Sequence, residues 1–159
     1  MTPIDAATFR RARGRFPSGV TVVTVRGEDG RDYGMTVSAF ASLSLAPPLV
    51  LVCIGDDATI AGSIAAAGNF AVSVLSEDQE PLARLFADSG ADRFAGTAVS
   101  RGVTGLALLD GAVAHVECAI VARHRGGDHT IVVGEVIAAT AVEDGRPLIH
   151  QLGEYRRLR

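Results

Sequence analysis

The chain has 159 residues, 48% of them hydrophobic, with a formal net charge of -3 and a pI near 5.8. That length suits one domain, residues 1–159, burying roughly two thirds of its unfolded surface, and the weak acidity removes any general electrostatic reason to bind nucleic acid or an anionic membrane. Mean hydropathy is +0.28, yet Arg, Asp or Gly breaks every apolar stretch before the roughly 18 residues that a spanning helix needs, so the surplus apolar surface points to subunit association.

The opening "MTPIDAATFRRARGRF" has no continuous apolar stretch of the secretory kind, and the expectation is a cytoplasmic protein. Residues 4–16 read as a helix with Ile4, Phe9, Ala12 and Phe16 on one side and Asp5 or Thr2 as cap. Its arginines, Arg10, Arg11, Arg13 and Arg15, read either as a solvated face or as a contact for a subunit or an anionic ligand. Pro17-Ser18-Gly19 ends the helix. "VTVVTVR" (20–26) is β-branched and strand-like, "GEDGRD" (27–32) is a turn, and "GMTVSAFASLS" (34–44) returns as the hairpin partner. Period-2 alternation sends Val37, Ala39, Ala41 and Leu43 toward a core and leaves Thr36, Ser38, Phe40, Ser42 and Ser44 on an uncharged, hydroxyl-rich face.

"LVLVCIG" (49–55) is apolar on both parities, which predicts a strand covered on both faces. "DDATIAGSIAAAG" then reads as a helix with an Asp cap, with Ile60 and Ile64 on one side and Gly68 as terminator. "NFAVSVLS" (69–76) is a strand, "EDQEPLARLFADSG" (77–90) a helix with Pro81 in its first turns, and 91–110 irregular. Two long β runs follow, "GAVAHVECAIVARH" and "HTIVVGEVIAATAVE", joined by the hairpin signal "RGGD" at 125–128. At least six strands with at most three short helices, lacking βαβ alternation, predict a mainly β, antiparallel, closed or nearly closed barrel. No GxGxxG follows a strand and no GxxxxGK[ST] is present, so any nucleotide is bound without a Rossmann or P-loop cradle.

Small hydroxyls donate and accept without a charge to desolvate, which suits the amide-like edge of a flavin or a phosphate; a polar subunit interface or an exposed hairpin fits the same composition. His129 stands where a hairpin turn enters an apolar strand, placed either to bond a carboxamide or to satisfy turn backbone. His115, His124 and His150 have no metal-like spacing and read as structural. Glu117 and Glu135 lie in the two long strands and admit a paired-carboxylate site, with pairing to Arg123 or Arg156 as the competing fate. Cys53 and Cys118 are far apart in apolar strand contexts and read as reduced thiols, with no zinc spacing. No GxSxG elbow supports a hydrolytic triad.

From "FRRARGRFPSGVTVVT" through "GMTVSAFASLSLAPPLVLVCIG", "NFAVSVLSEDQEPLARLFA", "DRF", "GLALLDGAVAHVEC" and "GDHTIVVGEV" to "PLIHQLGEYRRL", the chain resembles the flavin reductase family, the small reductase components of two-component flavin-dependent monooxygenases. The resemblance implies an FMN-binding split β-barrel that forms a homodimer with a flavin at each interface. It implies hydride transfer from NADH or NADPH to FMN or FAD, with reduced flavin passing to a separate oxygenase. By position it implies flavin contacts from Thr36, Val37, Ser38, Ala39, Phe40 and Ser42, and puts Ser18 and Gly19 near the ring system. Cys53 with Asp57, Ala58 and Thr59 matches the stretch at the ribityl, phosphate or adenylate part, Phe86 and Phe94 lie near the nucleotides, His129 stands beside the nicotinamide, and Tyr155 closes the site. A pyridoxamine-phosphate oxidase-like FMN protein and a non-catalytic flavin-binding module are the competing readings. Asp56 and Asp57 stand where several relatives carry a cation; an aspartate capping the next helix would compete with an anion for its N–H groups. Phosphate would then rely on Ser42, Ser44, free amides, Arg84 or Arg93.

Overall fold

The computed structural model describes residues 2–90 and 92–159. Helix α1 (Ala6–Arg13) starts where the sequence offers a cap: the Asp5 carboxylate accepts from the Thr8 N–H at 2.9 Å and from its hydroxyl at 2.7 Å. The helix buries no residue, however, and Ile4, Phe9 and Phe16, the apolar side of the expected helix, are 64, 55 and 79% exposed. Its attachments lie at its C-terminal end, where the Gly14 carbonyl accepts from the Leu152 N–H at 3.0 Å and the Arg15 carbonyl from the Gln151 amide at 3.4 Å.

The strands are β1 (Ser18–Gly19), β2 (Thr21–Arg26), β3 (Asp32–Val37), β4 (Phe40–Leu45), β5 (Pro48–Gly55), β6 (Asn69–Val74), β7 (Val99–Arg101), β8 (Ala107–Leu109), β9 (Ala114–Gly126), β10 (His129–Ala141), β11 (Ile149–Gln151) and β12 (Glu154–Arg156). Helix α2 (Ala61–Ala66) follows β5 and α3 (Glu80–Ala87) follows β6. The architecture is mainly β with antiparallel pairing, as expected, and the β9–β10 hairpin turns at the RGGD signal with Gly127 at φ +72°. Residues 99–109 form the β7–β8 hairpin where irregular chain was expected; with three residues per strand it is too short for a periodic signal.

Seven strands make one sheet in the order β3-β2-β6-β9-β10-β5-β4. Its two edge strands, β3 and β4, are consecutive in the chain with Ser38 and Ala39 between them. Three Cα steps span at most about 11 Å, so the edges must approach and the sheet must curl. The Cys53 N–H donating to the Ala39 carbonyl at 3.0 Å marks the seam. Val23, Val25, Val52, Ile54, Phe70 and Val132 fill the interior, and Ile60 and Ile64 pack against that core from the α2 side. A second cluster under α3 joins Val20, Val22, Leu75, Phe86 and Leu148.

The chain's change of edge corrects two expectations. Residues 34–44 are not one strand: past the seam Ala39, Ala41 and Leu43 are exposed, while Phe40 packs on the core and a bulge follows Ser42. The strand covered on both faces is β2, all of whose residues from Thr21 to Val25 are buried. In β5, Val50, Val52 and Ile54 are buried, whereas Leu49, Leu51 and Cys53 on the outer face are only half-buried. No helix among the described residues is long and apolar enough to cross a membrane.

Candidate functional site

The seam opens a groove of about 610 Å³, within the size range of small-molecule sites. Its floor is Ala39, Leu51 and Cys53, with Ser18, Ser38 and Phe40 beside them. Five residues expected at the flavin, Ser18, Ser38, Ala39, Phe40 and Cys53, therefore converge from three separate parts of the chain. Small side chains at the crossover leave backbone and hydroxyl groups beside an apolar floor, which fits a flat, neutral ring with a polar edge. Gly19 adjoins open space. Val37 faces the core at 4% exposure, and Ser42 sits opposite Val50 on β4, outside the groove lining. The Thr36 hydroxyl donates to the Ala83 carbonyl at 2.6 Å, so it tethers α3.

One feature of the groove escapes sequence reasoning, and a second is a place where the sequence leaves two readings open. His150, read as structural, lines it, because β11 places His150 opposite Ser18 of β1; only that register reveals it. Its ring meets Tyr155 edge-on at 5.6 Å, and Arg84 lies 5.0 Å over the Tyr155 ring. Burial pushes the Tyr155 phenol up. The second feature is α1, whose Arg10, Arg11 and Arg13 form part of the wall.

A separate cleft of about 830 Å³ contains Thr59, Phe94 and Arg93, framed by Tyr33, Asp32 and Arg101. Arg93 donates to the Asp88 carbonyl at 2.8 Å, to the Gly34 carbonyl at 2.5 Å and to the Thr59 hydroxyl at 2.9 Å. Asp32 accepts from Arg101 at 2.6 and 2.8 Å and from Arg26 at 3.3 Å; the Arg101 bonds outweigh burial and hold its carboxyl below the usual range. Phe94 stands edge-on to Phe86 at 5.2 Å, but Phe86 is completely buried. The nucleotide contact expected of Phe86 is corrected: it lies on the inner face of α3 and holds Phe94 in place.

His129 opens β10 opposite Gly55. The pairs Leu51–Val133, Cys53–Ile131 and Gly55–His129 share the outer face, so His129 continues the groove's floor roughly 7 Å beyond Cys53. A Cβ built on Gly55 would lie 3.7 Å from His129 Nε2 and 3.2 Å from Asp57 Oδ1, which shows how closely these groups gather around that glycine. His129 Nδ1 lies 2.7 Å from Asp128 Oδ1. Ala58 packs on the core. Neither aspartate caps α2: its N-cap is Ile60, without a side-chain bond, while Asp56 accepts from the Thr130 hydroxyl at 3.3 Å and pairs with Arg125 at 3.6 Å. The expected competition between a capping aspartate and an anion does not arise.

Glu117 and Glu135 do not form an acid/base pair. Glu135 is exposed opposite Ala119, whereas Glu117 is buried and accepts from the Val103 N–H at 3.0 Å, the Thr104 N–H at 2.8 Å and the Thr104 hydroxyl. Its partner is this loop, not Arg123 or Arg156, and a Cβ at Gly102 would collide with the carboxylate. Burial pushes the Glu117 carboxyl up, but the Thr104 and Val103 bonds outweigh it and the group titrates below its ordinary value. Arg123 instead closes α2, donating to the Ile64 and Ala67 carbonyls. Burial, with Glu117 adding to it, pushes the Cys118 thiol up to about 12.

The family described as "Flavin reductase like domain" matches residues 13–159. The chain is 48% identical over 160 residues to the NADH-dependent FAD reductase of Streptomyces globisporus, covering 98% of this chain and 87% of that protein. It is 42% identical over 155 residues to the reductase component of the 4-nitrophenol 4-monooxygenase/4-nitrocatechol 2-monooxygenase of Rhodococcus opacus, covering 98% and 82%. Among solved structures, the Streptomyces globisporus NADH:FAD oxidoreductase in complex with NAD and FAD fragments superposes with a TM-score of 0.94 at 46% identity, covering 100% of this chain and 96% of that one.

Proposed function

The chain belongs to the flavin reductase family, an oxidoreductase acting on flavin, and from that premise we propose that it carries hydride from NADH to FMN or FAD for a separate oxygenase. The observation that carries the reading is the convergence of Ser18, Ser38, Ala39, Phe40 and Cys53 in one groove. The flavin, when bound, supplies the hydride-accepting ring. Ala39, Leu51 and Cys53 bind its flat face and shed water from it, while the Ser18 and Ser38 hydroxyls and the crossover backbone hold its polar edge where negative charge grows. These contacts address the ring that FMN and FAD share, so both are accepted. His129 orients the carboxamide of the donor over that ring, since transfer needs reacting atoms roughly 3 to 3.5 Å apart. Thr59 and Arg93 receive the flavin phosphate in the neighbouring cleft, and His150 and Tyr155 close the groove's end.

A homodimer belongs to the same proposal. The outer row of exposed Ala41 and half-buried Leu51 runs across β4 and β5 beside the groove, and Leu43 and Leu45 add side chains 51 and 94% exposed. Covering this row with a second copy would remove apolar area from water and shield the ring's open face. The match from residue 13 to 159 supports a single domain over the chain, and we place the enzyme in the cytoplasm with its NADH supply and oxygenase. Purified protein should consume NADH only with added FMN, FAD or riboflavin; consumption no faster than the uncatalysed rate with all three would overturn the reading.

A further inference from the structure

Every cation of this chain is an arginine; its 15 basic residues include no lysine. Among the described residues, Arg26, Arg84, Arg101, Arg125, Arg146, Arg156 and Arg157 are paired with carboxylates, and Arg93 and Arg123 are bonded to backbone carbonyls. Arg15, Arg31 and Arg159 also form no salt bridge among the described residues, but none of them lines the groove; Arg10, Arg11 and Arg13 do. They crowd three like charges into four positions of a helix whose first turn holds no acid, and among the described residues none of them forms a salt bridge. The contact recorded for their guanidinium groups is Arg11 Nη2 donating to the Thr8 hydroxyl at 2.9 Å. The helix dipole favours cations in a last turn, but it gives no reason for them to face an apolar groove, where all three line the wall above Ala39, Leu51 and Cys53.

A ligand that satisfies this wall must carry a flat ring for the floor and clustered negative charge for the rim. Both FAD and the dinucleotide donor have a ring and a pyrophosphate. Since the reading above assigns the flavin phosphate to Thr59 and Arg93, which line the other cleft, we propose, resting on that flavin reductase reading, that Arg10, Arg11 and Arg13 form the pyrophosphate site of the dinucleotide donor. Guanidinium forks match phosphate oxygens in bidentate geometry. Since α1 buries no residue, core packing does not fix its approach to the groove.

The test is the triple substitution R10Q/R11Q/R13Q, compared with the unaltered enzyme on two donors, NADH and the phosphate-free N-benzyl dihydronicotinamide. The preference for NADH over the phosphate-free donor, as a ratio of kcat/KM, should fall about tenfold, through the KM for NADH and with a weaker salt dependence. FAD affinity, read by fluorescence quenching, should move less than about twofold, because the ring on this floor is neutral and has no Coulomb attraction to lose, while the flavin phosphate is assigned to the other cleft. An unchanged ratio, or equal losses on both donors, would overturn the proposal. Loss of FAD affinity with FMN affinity kept would overturn it too, giving the pyrophosphate site to the flavin. An unaltered enzyme that oxidises neither donor with any flavin would sink the reductase reading instead.

Discussion

The two hollows use arginine in opposite ways. In the 830 Å³ cleft, Arg26 and Arg101 share Asp32, and Arg93 is spread over two carbonyls and the Thr59 hydroxyl. In the 610 Å³ groove, Arg10, Arg11 and Arg13 face Ala39, Leu51 and Cys53, and among the described residues no carboxylate is bonded to them. The cleft is the more polar to the eye, yet most of its donors are spent on holding β3, Asp88 and the β7–β8 hairpin together. A guanidinium paired with a carboxylate adds rigidity; one with a donor left over, as Arg93 keeps its Nη2 among the described residues, or one set over a bare apolar floor, adds affinity for an anion.

The largest effect should come from unlatching the spent side. Glu117 pins the loop that delivers Arg101 to Asp32. Replacing a buried, charge-assisted acceptor with an amide that presents N–H groups to two backbone donors should cost about 2 kcal/mol. For Glu117→Gln that is a fall in Tm of about 5 °C at neutral pH for a domain of this size. The folded carboxyl titrates below its ordinary value of 4.5, so its contribution is complete above that value and is lost as pH falls through the folded value. Melting curves at neutral pH and near pH 3 (roughly one and a half units below the ordinary value) should therefore show the gap between wild type and variant closing in acid. A constant gap would mean that shape alone, not charge, holds the loop.

How much of this contrast is legible in the sequence differs between its parts. β9 and β10 announce themselves through β-branched runs and RGGD, and α3 through Pro81 and its apolar spacing, because period and turn chemistry are local. The seam at Ser38–Ala39 is not local: the chain leaves one sheet edge and joins the other, so a parity count carried across it inverts, and Ala39 emerges as floor instead of core. α1 misleads for a related reason, since its apolar residues satisfy a helical pattern although among the described residues no element buries them. Phe86 and Phe94 are indistinguishable as residue types, yet one is sealed under α3 and the other edges the cleft. His150 enters the site through a register that no spacing encodes.

On the unspent side, Ala39→Leu tests whether the floor is a binding surface. Ala39 is exposed and supports no core contact, so the fold should melt as wild type does. The added side chain would occupy space the ring needs, and flavin affinity should fall about tenfold, the equivalent of roughly 1.4 kcal/mol. Fluorescence titration with FMN reads the change directly. Normal affinity would move the flavin out of this groove and dissolve the contrast between the two hollows.

Smaller effects belong to the end of the groove at β10. His129→Ala should raise the KM for NADH and lower turnover severalfold, because the imidazole orients the donor while the cofactors supply the redox chemistry. Unchanged steady-state kinetics would remove that role. Asp128→Asn should do less still. The carboxylate bonds His129 Nδ1 at 2.7 Å, and that bond, followed by its charge attraction, holds Asp128 below the usual carboxylate range. Yet the Asp128 side chain is 94% exposed, and pairs open to water contribute little. The kinetic constants should change by about twofold at most. If Asp128→Asn instead matched His129→Ala, the carboxylate would be fixing the imidazole's tautomer and aim, and this end of the groove would be built like the cleft, from charges committed to one another.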